Sequence, residues 1–368
     1  MATLRIPLAK PYASDEDLEA VRRVMTSGQY IHGSETKQFE SEFASFIGTK
    51  YAVATSSGTA ALHLALLSTG VGEADEVITV SHTFIATLDS IWYVRAKPKL
   101  TDIDPRYYVM DTENLRTLIN EKTRAIIPVH IFGHPVDMDP LGKLAKEHGL
   151  KVIEDAAQAH GSLYKNRPVG TLGDVACFSF YPSKNLTVCG DGGMLVTNDA
   201  EIAQKARMLR DHGRTDKYSS EAVGYNYRLS EMASAIGRVG LKKLPQWNNE
   251  RRSIASRYSK LLSADDRVIT PPEADWAHHV YHVYAIRAKE RDKLASALAQ
   301  NGIQTGIHYP IPCHLQPVFK RFENSNIRLK NTEEAANELL SLPIFPGMNE
   351  EDVEQVARKV RELHEQKR

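Results

Sequence analysis

The chain has 368 residues, 42% apolar and 25% charged, with 46 Lys and Arg balancing 46 Asp and Glu. That length suits about two domains with a sizeable core, and zero net charge leaves no global field to gather nucleic acid. Cys177, Cys189 and Cys313 are too scattered for a disulfide framework or a zinc site, no run approaches the ~18 apolar residues of a membrane span, and MATLRIPLAKPY lacks a signal-peptide core, so a cytoplasmic protein with no metal, membrane or nucleic-acid partner is expected.

In chain order, Tyr51–Thr55 (YAVAT) reads as a strand, Ser56–Thr59 (SSGT) as a turn, and Ala60–Leu67 as a helix stopped near Gly70. Glu76–Val80 predicts a strand, Ile85–Val94 a helix, Pro98–Asp102 a short strand and Ala125–His130 another. Pro140–His148 predicts a helix ended by Gly149, and Lys151–Asp155, Val175–Tyr181 and Gly193–Thr197 predict strands. Short apolar strands alternating with helices imply an α/β fold with a mostly parallel sheet covered on both faces. The last third changes texture. Met232–Leu262 predicts a long charged helix broken or kinked at Pro245. Val280–Arg287 and Gln304–Tyr309 predict strands, and Asp292–Asn301 and Glu350–Glu365 helices. This divides the chain into a large domain over residues 1–245, with an N-terminal arm, and a smaller α+β domain over residues 246–368.

In such sheets, chemistry collects at strand C-termini and in the loops beyond them. Three segments meet that condition. Lys184 follows a strand in FSFYPSKNLTVCGDGG, among Pro182, Gly190, Gly192 and Gly193. A loop at a strand end can lower a lysine's pKa and fix its approach to a carbonyl, although most lysines are simply solvated. Asp155 ends the strand KVIED, where a carboxylate either caps a helix or faces a cationic ring nitrogen; Gln158 and His160 follow within reach. The SSGT turn offers free N–H groups and a helix dipole to a phosphate, or is an ordinary cap. It is not a Walker loop, and no GxGxxG follows the first strand. Phe84 in SHTFIAT is either a core residue or a stacking face for a flat ring.

Together these stretches resemble the sugar aminotransferases of the DegT/DnrJ/EryC/StrS group, within the fold-type I enzymes that use pyridoxal phosphate (PLP) and its amine form. The resemblance runs from IPLAKPY and SGQYIHGSETKQFESEFASFIG through SSGTAALHLAL, VIEDAAQAHGS, SFYPSKNLTVCGDGG and GYNYRLSE to IHYPIPCHLQPVF and LPIFPGM. It implies that Lys184 forms the imine with the cofactor, Asp155 partners the pyridine nitrogen, Gln158 meets the ring hydroxyl, and Phe84 stacks. Gly58, Thr59 and Ser179 match the phosphate cradle, and Asn226 matches an asparagine reaching the neighbouring subunit's phosphate, which implies a homodimer with shared sites. Substrate contacts are expected from His308, Tyr309, His314, Arg228 and Tyr12. The group often carries Gln where this chain has Ala233.

The implied reaction moves an amino group from glutamate to a keto-sugar, nucleotide-linked and aminated at carbon 3 or 4. IHYPIPCHLQP looks closer to enzymes of 3-keto sugars. Non-nucleotide keto-sugars, cyclitols and a purely regulatory protein on the same fold are the alternatives. The related sugar dehydratases replace the lysine with histidine, whereas Lys184 is retained here.

Overall fold

The computed structural model describes residues 5–11, 13–323 and 326–365. Its centre is a seven-stranded sheet built from β1 (Tyr51–Thr55), β2 (Glu76–Val80), β3 (Lys97–Thr101), β4 (Thr123–Ile126), β5 (Lys151–Asp155), β6 (Val175–Ser179) and β7 (Gly193–Thr197). The strands lie in the order β1-β7-β6-β5-β4-β2-β3. Neighbours from β3 to β6 are parallel, and β7 alone runs against both its neighbours, β6 and β1. The strands are apolar almost throughout because both faces are covered.

One face packs Val53, Ile153 and Leu195 against Leu64 and Ile202 of overlying helices. The other packs Phe178 and Phe180 against Phe39, Phe43 and Trp247. Three early helices frame this core: α1 (Asp15–Ser27), α2 (Ser34–Ile47) and α3 (Gly58–Ser68). α1 starts at a capping box, in which the Ser14 N–H and hydroxyl both donate to the Asp17 carboxylate. α3 is apolar on nearly every side because it is enclosed, not amphipathic. α4 (Ala86–Tyr93) follows β2, α5 (Met138–His148) precedes β5, and α6 (Ala200–Arg210) follows β7.

The 32-residue helix α7 (Glu231–Leu262) connects this body to the rest. Pro245 does not break it. A second sheet, β8 (Val268–Ile269), β9 (Tyr284–Ala288) and β10 (Leu339–Leu342), is antiparallel in the order β8-β9-β10. With α8 (Arg291–Gln300) and α9 (Glu350–Glu365) it encloses a separate cluster containing Tyr258, Tyr284, Leu298 and Val356. Ile6 of the N-terminal stretch belongs to that cluster, and its N–H donates to Gly302 O.

Three expectations differ. The strand over Ala125–His130 ends at Ile126, because Pro128 carries no N–H for the ladder; pairing resumes only as a bridge from Val129 to Asp155. The strand expected from Val280 starts at Tyr284, after Tyr281 turns with φ +44°. Gln304–Tyr309 is not a strand: Gly306 makes one isolated bridge to Ser341 before the chain turns at Pro310. Among the described residues, no helix is long and apolar enough to cross a membrane.

Candidate active site

Sheet order decides which loops meet. β5 and β6 are adjacent and parallel, with Asp155 paired to Cys177, so Asp155 and the loop after Ser179 leave the sheet side by side. Gly193, at the start of β7, lies opposite both Thr55 and Ser179, which brings the end of β1 to the same edge. A cavity of about 480 Å³ opens there. Gly58, Thr59, Phe84, Asp155, Gln158, Ser179, Lys184, His308 and Tyr309 all line it. Nine of the residues singled out from the sequence therefore meet in one place, although they run from Gly58 to Tyr309 in the chain.

Two glycines allow the turn before α3 to close against β6. A Cβ at Gly58 would stand 2.8 Å from Ser179 Cβ, and one at Gly193 would stand 2.4 Å from Ser57 O. Ser57 caps the helix, its hydroxyl accepting from Ala60 N at 3.1 Å. The first residues of α3 thus line the cavity beside Ser179, and the free N–H groups of a helix start with two hydroxyl residues make a set suited to a phosphate.

Asp155 is 5% exposed. Its carboxylate accepts from Thr87 Oγ1 at 2.8 Å and Ala157 N at 3.2 Å. Burial raises its pKa despite those donors, and Lys184 lowers it only from a distance. A buried carboxylate lining a cavity, with no bonded cation among the described residues, suits a ligand that brings positive charge. His160 gives Asp155 no hydrogen bond; its ring packs against Phe178 and Phe180.

Lys184 follows a turn in which its own N–H donates to Tyr181 O at 2.8 Å. Its amine makes no ion pair among the described residues, and burial pushes its pKa down to about 8, with Asp155 opposing. About a tenth of such an amine is neutral at pH 7, against less than a thousandth of an ordinary lysine. Capture of an added aldehyde should then accelerate with pH and level off just above pH 8. A rate still climbing at pH 10 would mean an ordinary lysine. The linked stability has the same sign: between about 8 and 10.5 the unfolded chain holds the extra proton, so stability rises with pH there.

Gln158 Oε1 accepts from Phe132 N at 2.6 Å, and its amide nitrogen donates to Tyr309 OH at 3.2 Å. The Tyr309 and Phe84 rings stand 5.7 Å apart on the cavity wall, and Phe84 is 56% exposed. His308 bonds Ser341 Oγ through Nδ1 at 2.8 Å.

The remaining candidates lie elsewhere. Asn226 is exposed and bridges to Asp211, outside this cavity. Arg228 donates to Asp211 at 2.9 Å. His314 is corrected: it is buried, with Nδ1 bonded to Ser81 Oγ at 2.7 Å and Nε2 to Glu333 at 3.3 Å, so neither nitrogen is free for a sugar. Tyr12 lies outside the described residues. The cavity also takes in Tyr181, Asp191, His130 and His282, which the motifs did not single out. Tyr181 sits inside a quoted motif, whereas His282 belongs to no motif, only to a run read as a strand, and lies about a hundred positions from Lys184.

A family model described as "DegT/DnrJ/EryC1/StrS aminotransferase family" matches residues 11–361. The chain is 44% identical to a "pleiotropic regulatory protein" of Geobacillus stearothermophilus, over 95% of this chain and 94% of the relative. It is 41% identical to the dTDP-3-amino-3,4,6-trideoxy-alpha-D-glucose transaminase of Streptomyces venezuelae, over 99% and 97%. The crystal structure of S. venezuelae DesV in complex with a ketimine intermediate superimposes with a TM-score of 0.96 at 41% identity, covering 99% of both chains. Solved relatives also include PLP and PMP forms. The chain belongs to the DegT/DnrJ/EryC1/StrS aminotransferase family and is a PLP-dependent sugar aminotransferase.

Proposed function

We propose that this chain moves the amino group of glutamate onto the ketone of a nucleotide-linked deoxysugar, with carbon 3 favoured over carbon 4. The convergence of Lys184, Asp155 and the Ser57–Thr59 turn on one cavity carries the reading. Support for carbon 3 comes from the IHYPIPCHLQP segment and from the 3-amino sugar named for the S. venezuelae relative.

PLP, when bound, supplies an aldehyde for amines and a cationic ring that takes up the electron pair released when a neighbouring C–H bond breaks. The residues present fit it. The α3 N-terminus, Thr59 and Ser179 would hold the phosphate, Gln158 the ring hydroxyl, and Phe84 one ring face. Asp155 supplies the negative charge that keeps a ring nitrogen protonated. Lys184, whose charged form burial disfavours, is the group that takes a proton from the substrate carbon and returns it elsewhere. Phe84, Tyr181 and Tyr309 wall the cavity.

His308 and Tyr309 are the proposed sugar contacts, with Arg228 and Tyr12 as further candidates. Exposed Asn226, outside its own cavity, is suited to reach a partner's phosphate in a homodimer. A large cofactor domain over residues 1–245, a small domain over 246–368 and a cytoplasmic location complete the proposal.

The test is spectroscopic. Protein loaded with PLP should absorb in the visible, bleach with glutamate, and recover the band with a 3-keto nucleotide sugar. Recovery with 2-oxoglutarate but with no keto-sugar of any kind would reject the substrate class.

A further inference from the structure

His282 lines the same cavity as Lys184, and its tautomer can be read from its neighbours. Asn185, the residue after Lys184, is buried. Its amide nitrogen donates to Val280 O at 3.2 Å and to Asn248 Oδ1 at 2.9 Å. A carbonyl can only accept, so the contact with Val280 fixes which end of the Asn185 amide is nitrogen. Asn185 Oδ1 therefore faces His282 Nδ1, at 3.2 Å, and the proton of that bond must sit on Nδ1. Nε2 is left as a lone pair, and it makes no hydrogen bond among the described residues. Asn248 is tied in turn to His160 O at 2.7 Å, so the network is anchored on the large sheet's side. The His282 carbonyl accepts from the buried Arg251 at 3.3 Å, which fixes the ring's backbone from behind.

We propose that His282 is a positioning residue for Lys184: its Nε2, unbonded here, is the acceptor to which the Lys184 amine turns when it carries the transferred proton or stands protonated before the cofactor is captured. This inference rests on the PLP aminotransferase reading. A transferred proton must rest on Lys184 between two carbons, in a cleft where burial penalises ammonium. A fixed neutral acceptor offsets part of that penalty. The imidazole stays neutral while doing so, because burial and the nearby Lys184, Arg251, His308 and His160 all hold its own pKa well below the usual range.

Two substitutions separate this role from a structural one. His282→Asn keeps a donor near the Nδ1 position for Asn185 and removes the cavity acceptor. His282→Gln places an acceptor oxygen near the Nε2 position and gives up the donor. The readout is the rate at which visible absorbance appears when PLP is added to the full-length apo chain, measured against pH. The midpoint should fall by about one pH unit in His282→Asn, because a lost hydrogen bond to the charged form lowers the lysine's pKa, and should stay near wild type in His282→Gln. An unchanged midpoint in His282→Asn, or a fall only in His282→Gln, overturns the inference. Failure of the wild-type protein to develop any band would instead reject the cofactor assignment.

Discussion

Lys184→Ala should abolish amino transfer, with a loss of at least about a thousandfold, because one side chain supplies both the amine that captures the cofactor and the acid–base step. The loss should appear in kcat and survive saturation with either substrate. Stability should not fall with it. The Lys184 amine makes no ion pair in the described structure, and its burial is a cost to the folded state. Thermal melting of the apo variant at or slightly above the wild-type temperature, together with absent turnover, is the expected pair of results. Turnover within tenfold of wild type would remove Lys184 from the chemistry.

Asp155→Asn should lower kcat by roughly a hundred- to a thousandfold, the scale of removing one partner from a desolvated charge pair. The amide can still meet Thr87 Oγ1 and Ala157 N, which hold the present carboxylate at 2.8 and 3.2 Å, so the fold should survive. What it lacks is charge to keep a ring nitrogen protonated. The variant should therefore still capture PLP on Lys184 yet bleach far more slowly with glutamate. Equal bleaching rates would show that Asp155 is only a cap at the end of β5. Asp155→Glu should restore little, because the added methylene carries the carboxylate away from Thr87 Oγ1 and Ala157 N and into the space the ring would take.

Much of this site was legible in sequence because parallel strands announce themselves. KVIED is an apolar run ending in a carboxylate, and a doubly covered sheet puts such an end at the ligand edge. β2, β5 and β7 have the same bounds as the runs read from the sequence. What was hidden is of another kind. β10 is four residues of Leu and Ser, too short to separate from a helical turn by period. Gln304–Tyr309 has strand composition, yet its backbone meets neighbours only at Gln304, against Ile6, and at Gly306, against Ser341. His308 and His314 stand six residues apart in one motif. One lines the cavity, and the other is sealed between Ser81 and Glu333. No local pattern distinguishes them, since the difference is made by Ser81, more than two hundred positions away, and by Glu333 on a later helix. His282 was hidden for the converse reason: its partner, Asn185, is next to the reactive lysine, but the two meet only through the fold.

The most direct measurement is borohydride reduction of the PLP-loaded protein, followed by peptide mapping by mass spectrometry. A single pyridoxyl group on Lys184, in the peptide containing SFYPSKNLTVCGDGG, is the predicted result. A pyridoxyl group carried mainly by another lysine, or no adduct at all, would contradict the assignment of this cleft.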